Sequence, residues 1–412
     1  MTKTPRLRAT ARDWQITGAI SAVCLIAVGG AFATANIRQA ELVPAASPAA
    51  DEVKILAQPP VRLTEAYSFE NQRVPGQYRA VSAKGLLITH EGDTITARDT
   101  AGEELWHYTR TDAELCSLGT AWDKVVATYR TGVGCGDVVA ISAATGQYSD
   151  TRSAGSSEEV APLSSNDRVG TVSAQRVELW RSDMVRTVEY GDVEAKQEPD
   201  MQPNEDCTIN SAMTRTENLA VTESCPADSE VTWLRLMQTT PEDSRKPEVD
   251  ANVSVPNGGA RLVAVGQQSA AVYIPGETPR IEAYDNDGIK ISSSEVQPSP
   301  AVRDAASPFV AATADLPHHM SWFDGERLYL FNPSNLKVEH SLDDALGTGI
   351  ALGDRLLVPV AEGIAVVDWS TGDTERVIPV DRGSYSGPVY LTVAGTTLVE
   401  QRGDTAVGLR AD

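Results

Sequence analysis

The sequence predicts an all-β protein, an eight-bladed β-propeller with seven blades as the alternative, preceded by one N-terminal transmembrane helix. Three observations lead to this prediction. Residues 14–37 carry no charge, and short apolar segments rich in β-branched residues recur between turn residues through the rest of the chain. These segments group at a mean spacing of about 44 residues. Four short strands per roughly 40 to 50 residues are typical of a propeller blade.

The N-terminal region has the pattern of a membrane anchor. Residues 1–13 form a basic tail, and the uncharged residues 14–37 are long enough to cross a bilayer as a helix. The positive-inside rule places the tail in the cytoplasm and everything after Arg38 outside. The predicted location is therefore the plasma membrane, with a single span through residues 14–37 and an extracytoplasmic body.

A cleaved signal peptide is the competing interpretation of the same stretch. Ala33-Thr34-Ala35 fits an A-x-A processing site, and cleavage after Ala35 would secrete the body. The uninterrupted length of the apolar stretch favours a retained anchor. Both interpretations export the body.

The exported part divides into a linker and a propeller. Residues 38–60 are rich in Ala and Pro and are expected to form a linker that lifts the body off the membrane, and residues 61–412 are expected to form the propeller. The chain has a net charge of −22 in spite of its basic tail. Such an acidic body repels phosphate backbones, so nucleic acid is not expected as a partner.

Four of the five cysteines bracket two segments of similar length, in the pairs Cys116 and Cys135, and Cys207 and Cys225. An oxidising compartment favours disulfides, and each segment reads as strand, turn, strand, which brings its two ends together. We therefore predict these two pairings. No CxxC pattern is present and no histidine lies at ligand spacing, so a structural role is favoured over a metal or redox site. The repeated loop suggests one structural unit used more than once.

Eight groups of strands can be drawn along the body. Markers of one equivalent strand are Ile88, Val126, Gly170, Ala220, Val263, Met320, Leu357 and Leu398. The groups are expected to begin near Gln77, Ala113, Glu159, Asp206, Gly259, Ser307, Ala345 and Gly387. The third and sixth groups are weakly marked, which leaves seven blades as the alternative. The last group holds about three strands, so we predict that residues 61–69 pair with it and close the ring.

Residues 93–106, DTITARDTAGEELW, resemble the repeat of PQQ-binding-like β-propellers. That repeat has an apolar strand, Ala, Asp, a turn ending in Gly and then Trp, which match Ala97, Asp99, Gly102 and Trp106. Residues 280–291 and 363–377 repeat the Asp and Gly without the Trp, and Ser142 replaces the Asp in a further copy. The resemblance supports the propeller fold and the register of its blades.

The resemblance implies two contrasting roles. One branch of the superfamily comprises quinoprotein dehydrogenases, with an adjacent Cys-Cys pair and a calcium site, and another comprises a scaffold lipoprotein of outer-membrane assembly. This chain has no adjacent cysteines and no evident carboxylate cluster for calcium. The favoured function is therefore a non-enzymatic binding or assembly scaffold in the cell envelope, with an envelope protein or glycan as partner. The alternatives are a diverged quinone-dependent oxidoreductase and a ligand- or carbohydrate-sensing module.

No residue is assigned a catalytic, cofactor-binding or metal-binding role from the sequence. Asp285 and Asp287 in DNDG are expected to form a hairpin turn, and His318-His319 is not expected to chelate a metal because neighbouring strand residues point to opposite faces. Residues 190–206 form an acidic segment long enough to be a binding loop. Five tryptophans are expected to pack between blades: Trp106, Trp180, Trp233, Trp322 and Trp369.

Overall fold

The computed structural model describes residues 9–49, 53–165, 167–194, 196–256, 258–303, 305–317 and 319–411. Most of the predicted basic tail, residues 1–8, lies outside the described residues, as do His318 and Asp412.

An apolar helix, α1 (Ala11–Ala33), precedes the β-structure. A capping box closes its N-terminus: the Thr10 hydroxyl accepts a hydrogen bond from the Asp13 N–H, and the Asp13 carboxylate accepts one from the Thr10 N–H at 2.7 Å. The side chains of α1 are exposed, and the helix is long and apolar enough to cross a membrane. A short 3-10 helix at Asn36–Gln39 follows it.

The body is an eight-bladed β-propeller, so the alternative of seven blades is wrong. Blade 1 consists of β3 (Val81–Ala83), β4 (Leu86–Glu91), β5 (Thr94–Arg98) and β6 (Glu104–Arg110). Blade 2 consists of β7 (Leu115–Ala121), β8 (Lys124–Thr131), β9 (Gly134–Ser142) and β10 (Tyr148–Ser153). Blade 3 consists of β11 (Ala161–Ser164), β12 (Val169–Val172), β13 (Arg176–Trp180) and β14 (Arg186–Gly191). Blade 4 consists of β15 (Thr208–Arg215), β16 (Asn218–Ser224), β17 (Thr232–Gln238) and β18 (Val249–Val255).

The second half of the ring repeats this arrangement. Blade 5 consists of β19 (Arg261–Val265), β20 (Ser269–Ile274), β21 (Arg280–Asp285) and β22 (Lys290–Glu295). Blade 6 consists of β23 (Ala312–Asp315), β24 (Met320–Phe323), β25 (Leu328–Phe331) and β26 (Val338–Leu342). Blade 7 consists of β27 (Ile350–Leu352), β28 (Arg355–Val360), β29 (Gly363–Val367) and β30 (Thr374–Pro379). Blade 8 consists of β31 (Val389–Ala394), β32 (Thr397–Arg402), β33 (Thr405–Ala411) and, from the N-terminal side, β2 (Leu63–Glu70). Two short helices, a 3-10 turn at Pro226–Asp228 and α2 (Pro300–Arg303), lie in connections.

The first strand of each blade is innermost, and neighbouring innermost strands contact one another around the central channel. We call the end where these strands begin the upper end, and the end where they finish the lower end. Strand β2 pairs antiparallel with β33, from Leu63 opposite Ala411 to Glu70 opposite Thr405. A strand from the start of the body therefore completes the last blade as its outermost strand and closes the ring.

Described parts of the stretch 38–60, which we expected to form a linker, lie against the propeller instead. Strand β1 (Ala40–Val43) pairs antiparallel with β6 and adds a fifth strand to the outer edge of blade 1. We call residues 40–60 the strap. Its backbone N–H groups then donate to carbonyl oxygens at the lower end of blades 2 and 8, in the pairs Ala45–Thr145, Ala49–Ala144 and Leu56–Gly395.

Two disulfides are present, Cys116–Cys135 and Cys207–Cys225. They are not the same structural unit. Cys207 and Cys225 flank the paired strands β15 and β16, with Cα atoms 4.3 Å apart. Cys116 lies on β7 and Cys135 on β9, so this bond passes the end of β8, with Cα atoms 6.1 Å apart.

A recurrent turn joins the third and fourth strands. In blade 1 the Asp99 carboxylate accepts hydrogen bonds from the N–H groups of Ala101 and Glu103, and Gly102 has φ +87°. Blades 3 and 6 form related turns with Met184 (φ 60°) and Leu336 (φ 52°) at the left-handed position. These two blades lack the glycine, which is why their sequences mark them weakly.

One strand marker is wrong. Val263 lies on the innermost strand β19, whereas the other markers lie on the second strand of their blades. The turn between β17 and β18 occupies residues 239–248 and lengthens blade 4. The regular spacing therefore falls one strand short in blade 5, where the equivalent strand is β20.

Candidate functional site

A cavity of about 750 Å³ occupies the centre of the ring. The innermost strands β3, β7, β11, β15, β19, β23 and β31 all contribute to its wall, so the cavity is the central channel. Hydroxyl-bearing side chains are common along the wall: Ser82, Thr120, Ser164, Thr214, Thr313 and Thr392. A cavity of this size can hold a small molecule or the end of a peptide.

Two connections between blades cover the channel at its upper end. The first is residues 71–80, which lead from β2 to β3; the Tyr78 hydroxyl donates to the Val310 carbonyl at 2.8 Å, in front of blade 6. The second leads from β22 to β23, and its Phe309 N–H donates to the Asn210 carbonyl of blade 4 at 2.6 Å. Because these connections lie across the upper end, we expect a ligand to enter from the lower end.

The charged groups toward the lower mouth are paired. Arg215 and Asp315, at the ends of β15 and β23, form an ion pair with Nη2 and Oδ1 3.1 Å apart. Asp167 lies 3.6 Å from a guanidinium nitrogen of Arg168, which also contacts Glu217 at 3.3 Å. Each carboxylate of the channel wall thus already has an arginine partner.

Arg79 is different. It lies in the connection directly before β3 and lines the cavity, and no hydrogen bond or ion pair reaches its guanidinium within the described part of the chain. Burial lowers the pKa of Arg79, and the negative charge of Asp315 opposes that shift in part. Arg79 is therefore a half-buried cation that faces the channel with no partner among the described residues.

The chemistry of the guanidinium limits what can bind beside it. The group is planar, carries several N–H donors and no acceptor, and matches carboxylate and phosphate oxygens in a two-pronged geometry. The net charge of −22 repels anions at long range, so Arg79 would act at short range, inside the channel. The arrangement suits an anionic group presented on a larger ligand.

The residues that the sequence singled out lie elsewhere. Asp285 has the role expected of a hairpin turn: its carboxylate accepts hydrogen bonds from the N–H groups of Asp287 and Ile289. His318 lies outside the described residues. His319 contacts Glu339, with Nε2 and Oε2 2.9 Å apart, and stacks on Trp369.

Tryptophans mostly occupy the seams between blades. Trp106 is fully buried, and its indole N–H donates to the Ala143 carbonyl of blade 2 at 2.8 Å. Trp233 departs from the expectation because it is only partly buried and its ring lies under the Arg235 guanidinium. In the acidic segment 190–206, the Gln202 side chain is buried and hydrogen-bonded to the backbone at Gly191, Glu189 and Arg245. Part of that segment is therefore packed and not available as a binding loop.

Among the described residues, one group has the arrangement of metal ligands: Cys207, Glu223 and Cys225. Its two sulfur atoms are joined in a disulfide, so they are not available as thiolate ligands. Burial raises the pKa of Glu223, although hydrogen bonds from Tyr190 and Arg235 lower it. The group is a structural part of blade 4.

The sequence did not single out Arg79, Arg215 or Asp315. Arg79 and Arg73 occur in one short segment, NQRVPGQYRA, and nothing in the letters separates a channel residue from a surface residue. The useful signal was the position of Arg79 two residues before an innermost strand. That position is informative only when β3 is already known to be an innermost strand.

No protein-family model and no curated protein sequence matches the chain. Solved structures do resemble it. The computationally designed Ika8 protein aligns with a TM-score of 0.53 and 15% identity over 83% of this chain and 99% of Ika8. Dihydro-heme d1 dehydrogenase NirN, in complex with DHE, gives a TM-score of 0.52 and 11% identity over 84% of this chain and 76% of NirN. BamB from Moraxella catarrhalis gives 0.49 and 13% identity over 84% of this chain and 99% of BamB.

These identities are low, so the similarities concern the fold alone. The alignments with Ika8 and NirN show that this chain shares its fold with both structures.

Proposed function

We propose that the chain is a membrane-anchored, extracytoplasmic propeller that acts as a non-enzymatic binding module of the cell envelope. Its central channel takes a carboxylate or phosphate group of an envelope protein or glycan. The observation that supports this function is the Arg79 guanidinium, which has no hydrogen-bond or ion-pair partner among the described residues and lines a cavity of about 750 Å³. The turn with Asp99, Gly102 and Trp106 agrees with membership of the PQQ-binding-like repeat family, which is part of the proposal.

The location rests on two features of the chain. Helix α1 can span a membrane, and the basic residues ahead of it favour a cytoplasmic N-terminus. The two disulfides fit an oxidising compartment on the other side of that membrane. Retention of α1 after export, against cleavage after Ala35, would be measured by mass spectrometry of the protein purified from membranes.

The proposed binding role rests on the cost of a half-buried charge that has no partner among the described residues. A cation in a low-dielectric site destabilises the folded protein unless an opposite charge compensates it. Nearby arginines have such partners and Arg79 has none in the described part of the chain, so a ligand anion is the natural complement. Charge-assisted hydrogen bonds of this kind contribute about 1.5–3 kcal/mol, which corresponds to roughly tenfold or more in affinity.

Arg79→Gln tests this function, with Arg73→Gln as the matched control. Arg73 lies in the same connection but forms a part-exposed ion pair with Asp404. Thermal unfolding would be followed with inorganic phosphate, citrate, a triglutamate peptide and the neutral sugar maltotriose. We expect at least one anion to raise the melting temperature of the wild type and of Arg73→Gln, with the shift abolished in Arg79→Gln.

Two results would contradict the proposal. Equal anion-induced shifts in wild type and Arg79→Gln would place the anion elsewhere, and the absence of any anion-induced shift would remove the site. A shift with maltotriose that is independent of Arg79 would favour the carbohydrate-sensing alternative. Crosslinking in membranes, compared between wild type and Arg79→Gln, would then identify the partner that presents the anion.

The residues of the channel fit a quinone cofactor poorly. Arg79 could contact a carboxylate of PQQ, but Asp167 and Asp315 are engaged by arginines and so are poor calcium ligands. The sequence has no adjacent cysteines. Dye-linked dehydrogenase activity on addition of PQQ and calcium would nevertheless overturn the non-enzymatic assignment.

A further inference from the structure

We infer that the lower mouth of the channel is turned away from the bilayer, and that the upper corner of blade 1 is the surface nearest the membrane. The inference rests on the proposed anchor role of α1. It identifies the partner as one that approaches from the aqueous side of the envelope, not from the lipid surface.

The chain between the helix and the propeller is short. Residues 14–33 of α1 are uncharged and cover about 30 Å at about 1.5 Å per residue, which equals the thickness of the hydrocarbon core. The helix therefore ends near the membrane surface. From Ala33 to Ala40, the 3-10 helix at Asn36–Gln39 advances about 2 Å per residue, and the remaining steps advance about 3.4 Å each. The connection reaches roughly 20 Å at most.

The strap enters the propeller at one defined corner. Ala40 lies opposite Arg110, which is the upper end of β6, and Val43 lies opposite His107 farther down. The Arg110 N–H donates to the carbonyl of Asp93, in the upper turn between β4 and β5, at 3.0 Å. Because β1 is paired along its length, its first residue is held at the upper end of the outer edge.

An orientation with the mouth toward the membrane exceeds this reach. Strand β6 runs from Glu104 to Arg110 and is about 20 Å long at about 3.4 Å per residue. The lower turn at Asp99–Glu103 extends beyond that strand. A propeller lying on its lower face would hold Ala40 above the lipid by the length of β6 and the depth of that turn together, which exceeds the roughly 20 Å available.

The two ends of the channel agree with this arrangement. The upper end, nearer the membrane, is covered by the connections that contain Tyr78 and Phe309. The lower end, farther away, is the entrance. A ligand group bound to Arg79 would therefore enter from the aqueous side, and a lipid headgroup would not reach the mouth directly.

Fluorescence energy transfer in nanodiscs would test the orientation. The full chain with Cys24→Ser would carry a donor dye at Asp93→Cys or at Ala101→Cys, two exposed positions at the upper and lower ends of the same blade. The nanodisc would contain a lipid with an acceptor on its headgroup. We expect transfer from position 93 to be at least twice as efficient as transfer from position 101.

The outcomes separate this inference from the proposed function. Equal or stronger transfer from position 101, with the chain inserted in the nanodisc, would overturn the orientation and leave the anchor intact. Failure of the chain to insert would remove the anchor and the orientation together. Donor anisotropy at both positions, measured without acceptor, would exclude restricted dye motion as the cause of a difference.

Discussion

Two arginine side chains of the same ring have opposite surroundings. At the seam between blades 7 and 8, the Arg382 guanidinium donates to the carbonyl oxygens of Val360 and Gly363 and forms an ion pair with buried Glu400 at 2.7 Å. In the channel, no such partner reaches Arg79 within the described residues. The donors of Arg382 are therefore occupied by protein acceptors, whereas those of Arg79 are available to a ligand.

This difference separates two uses of charge in the propeller. Seam arginines hold neighbouring blades together: Arg110 joins Asp112 of its own connection and Asp137 of blade 2. Their satisfied hydrogen bonds recover the desolvation cost of burying them. An arginine without such hydrogen bonds does not offset its desolvation cost by joining two blades. The comparison therefore points to a binding function for Arg79.

The largest expected effect is at the seam. Glu400→Ala would leave Arg382 and Arg402, which both bind that carboxylate, buried without their anion. We expect the free energy of unfolding in urea to fall by about 3–5 kcal/mol. Glu114→Ala is the control, because its exposed ion pair with Arg130 should contribute about 1 kcal/mol or less. A cost for Glu400→Ala similar to that of the control would show that the seam does not depend on charge.

The disulfides provide a contrast without charge. Replacing Cys116 and Cys135 by Ser, or Cys207 and Cys225 by Ser, should each cost about 3 kcal/mol in the chain-entropy model, because the loop lengths are nearly equal. The different strand pairings they join should matter less, since the effect acts on the unfolded chain. Urea unfolding of the two double variants, which we expect to agree within about 1 kcal/mol, measures this. A much larger loss for one pair would assign it a role in the folded blade.

The pH dependence of stability should reveal the contribution of Asp112, a carboxylate paired with an arginine in a seam. The hydrogen bond from Arg110 lowers the pKa of Asp112 below 3.8, although burial opposes the shift. A carboxylate with a lowered folded-state pKa stabilises the protein above its unfolded-state pKa, and this stability is lost as the pH falls through the folded-state value. We expect Asp112→Asn to cost about 1.5–3 kcal/mol at pH 7.

The wild type should lose stability as the pH falls below about 4, and the Asp112→Asn variant should lose less over the same range. Urea unfolding at pH 7, 5, 4 and 3 would measure it. Parallel curves for wild type and variant across these values would mean that Asp112 does not titrate differently on folding.

Much of the fold could be predicted from the sequence because it depends on local signals. Alternating apolar segments and turn residues such as Asp99 and Gly102 mark most blades, and the spare strand at residues 61–69 indicated the closure by β2. The signals failed where another residue adopts the glycine conformation, as Met184 and Leu336 do. The same signals did not show that Cys135 lies on the third strand of blade 2, because that assignment depends on where each strand of the blade begins and ends.

The candidate site could not be predicted in the same way. Arg79, Arg215 and Asp315 are brought together by the closed ring from blades that are far apart in the chain. The strap was not predicted for a related reason. An Ala- and Pro-rich composition is typical of a flexible linker, and it does not show that a neighbouring edge strand can pair with the segment. Ring closure and edge pairing are tertiary events that composition does not record.

The smallest expected effect on stability is at Arg79, and its sign is the informative part. Arg79→Gln removes a half-buried charge that has no partner among the described residues, so the free energy of unfolding should stay the same or rise by about 1 kcal/mol. Urea unfolding without added ligand, beside Glu400→Ala, would measure it. A loss of more than about 2 kcal/mol would show that Arg79 has structural partners like those of the seam arginines. An unchanged or higher stability, combined with lost anion binding, is the result expected of a residue that binds a ligand and does not hold blades together.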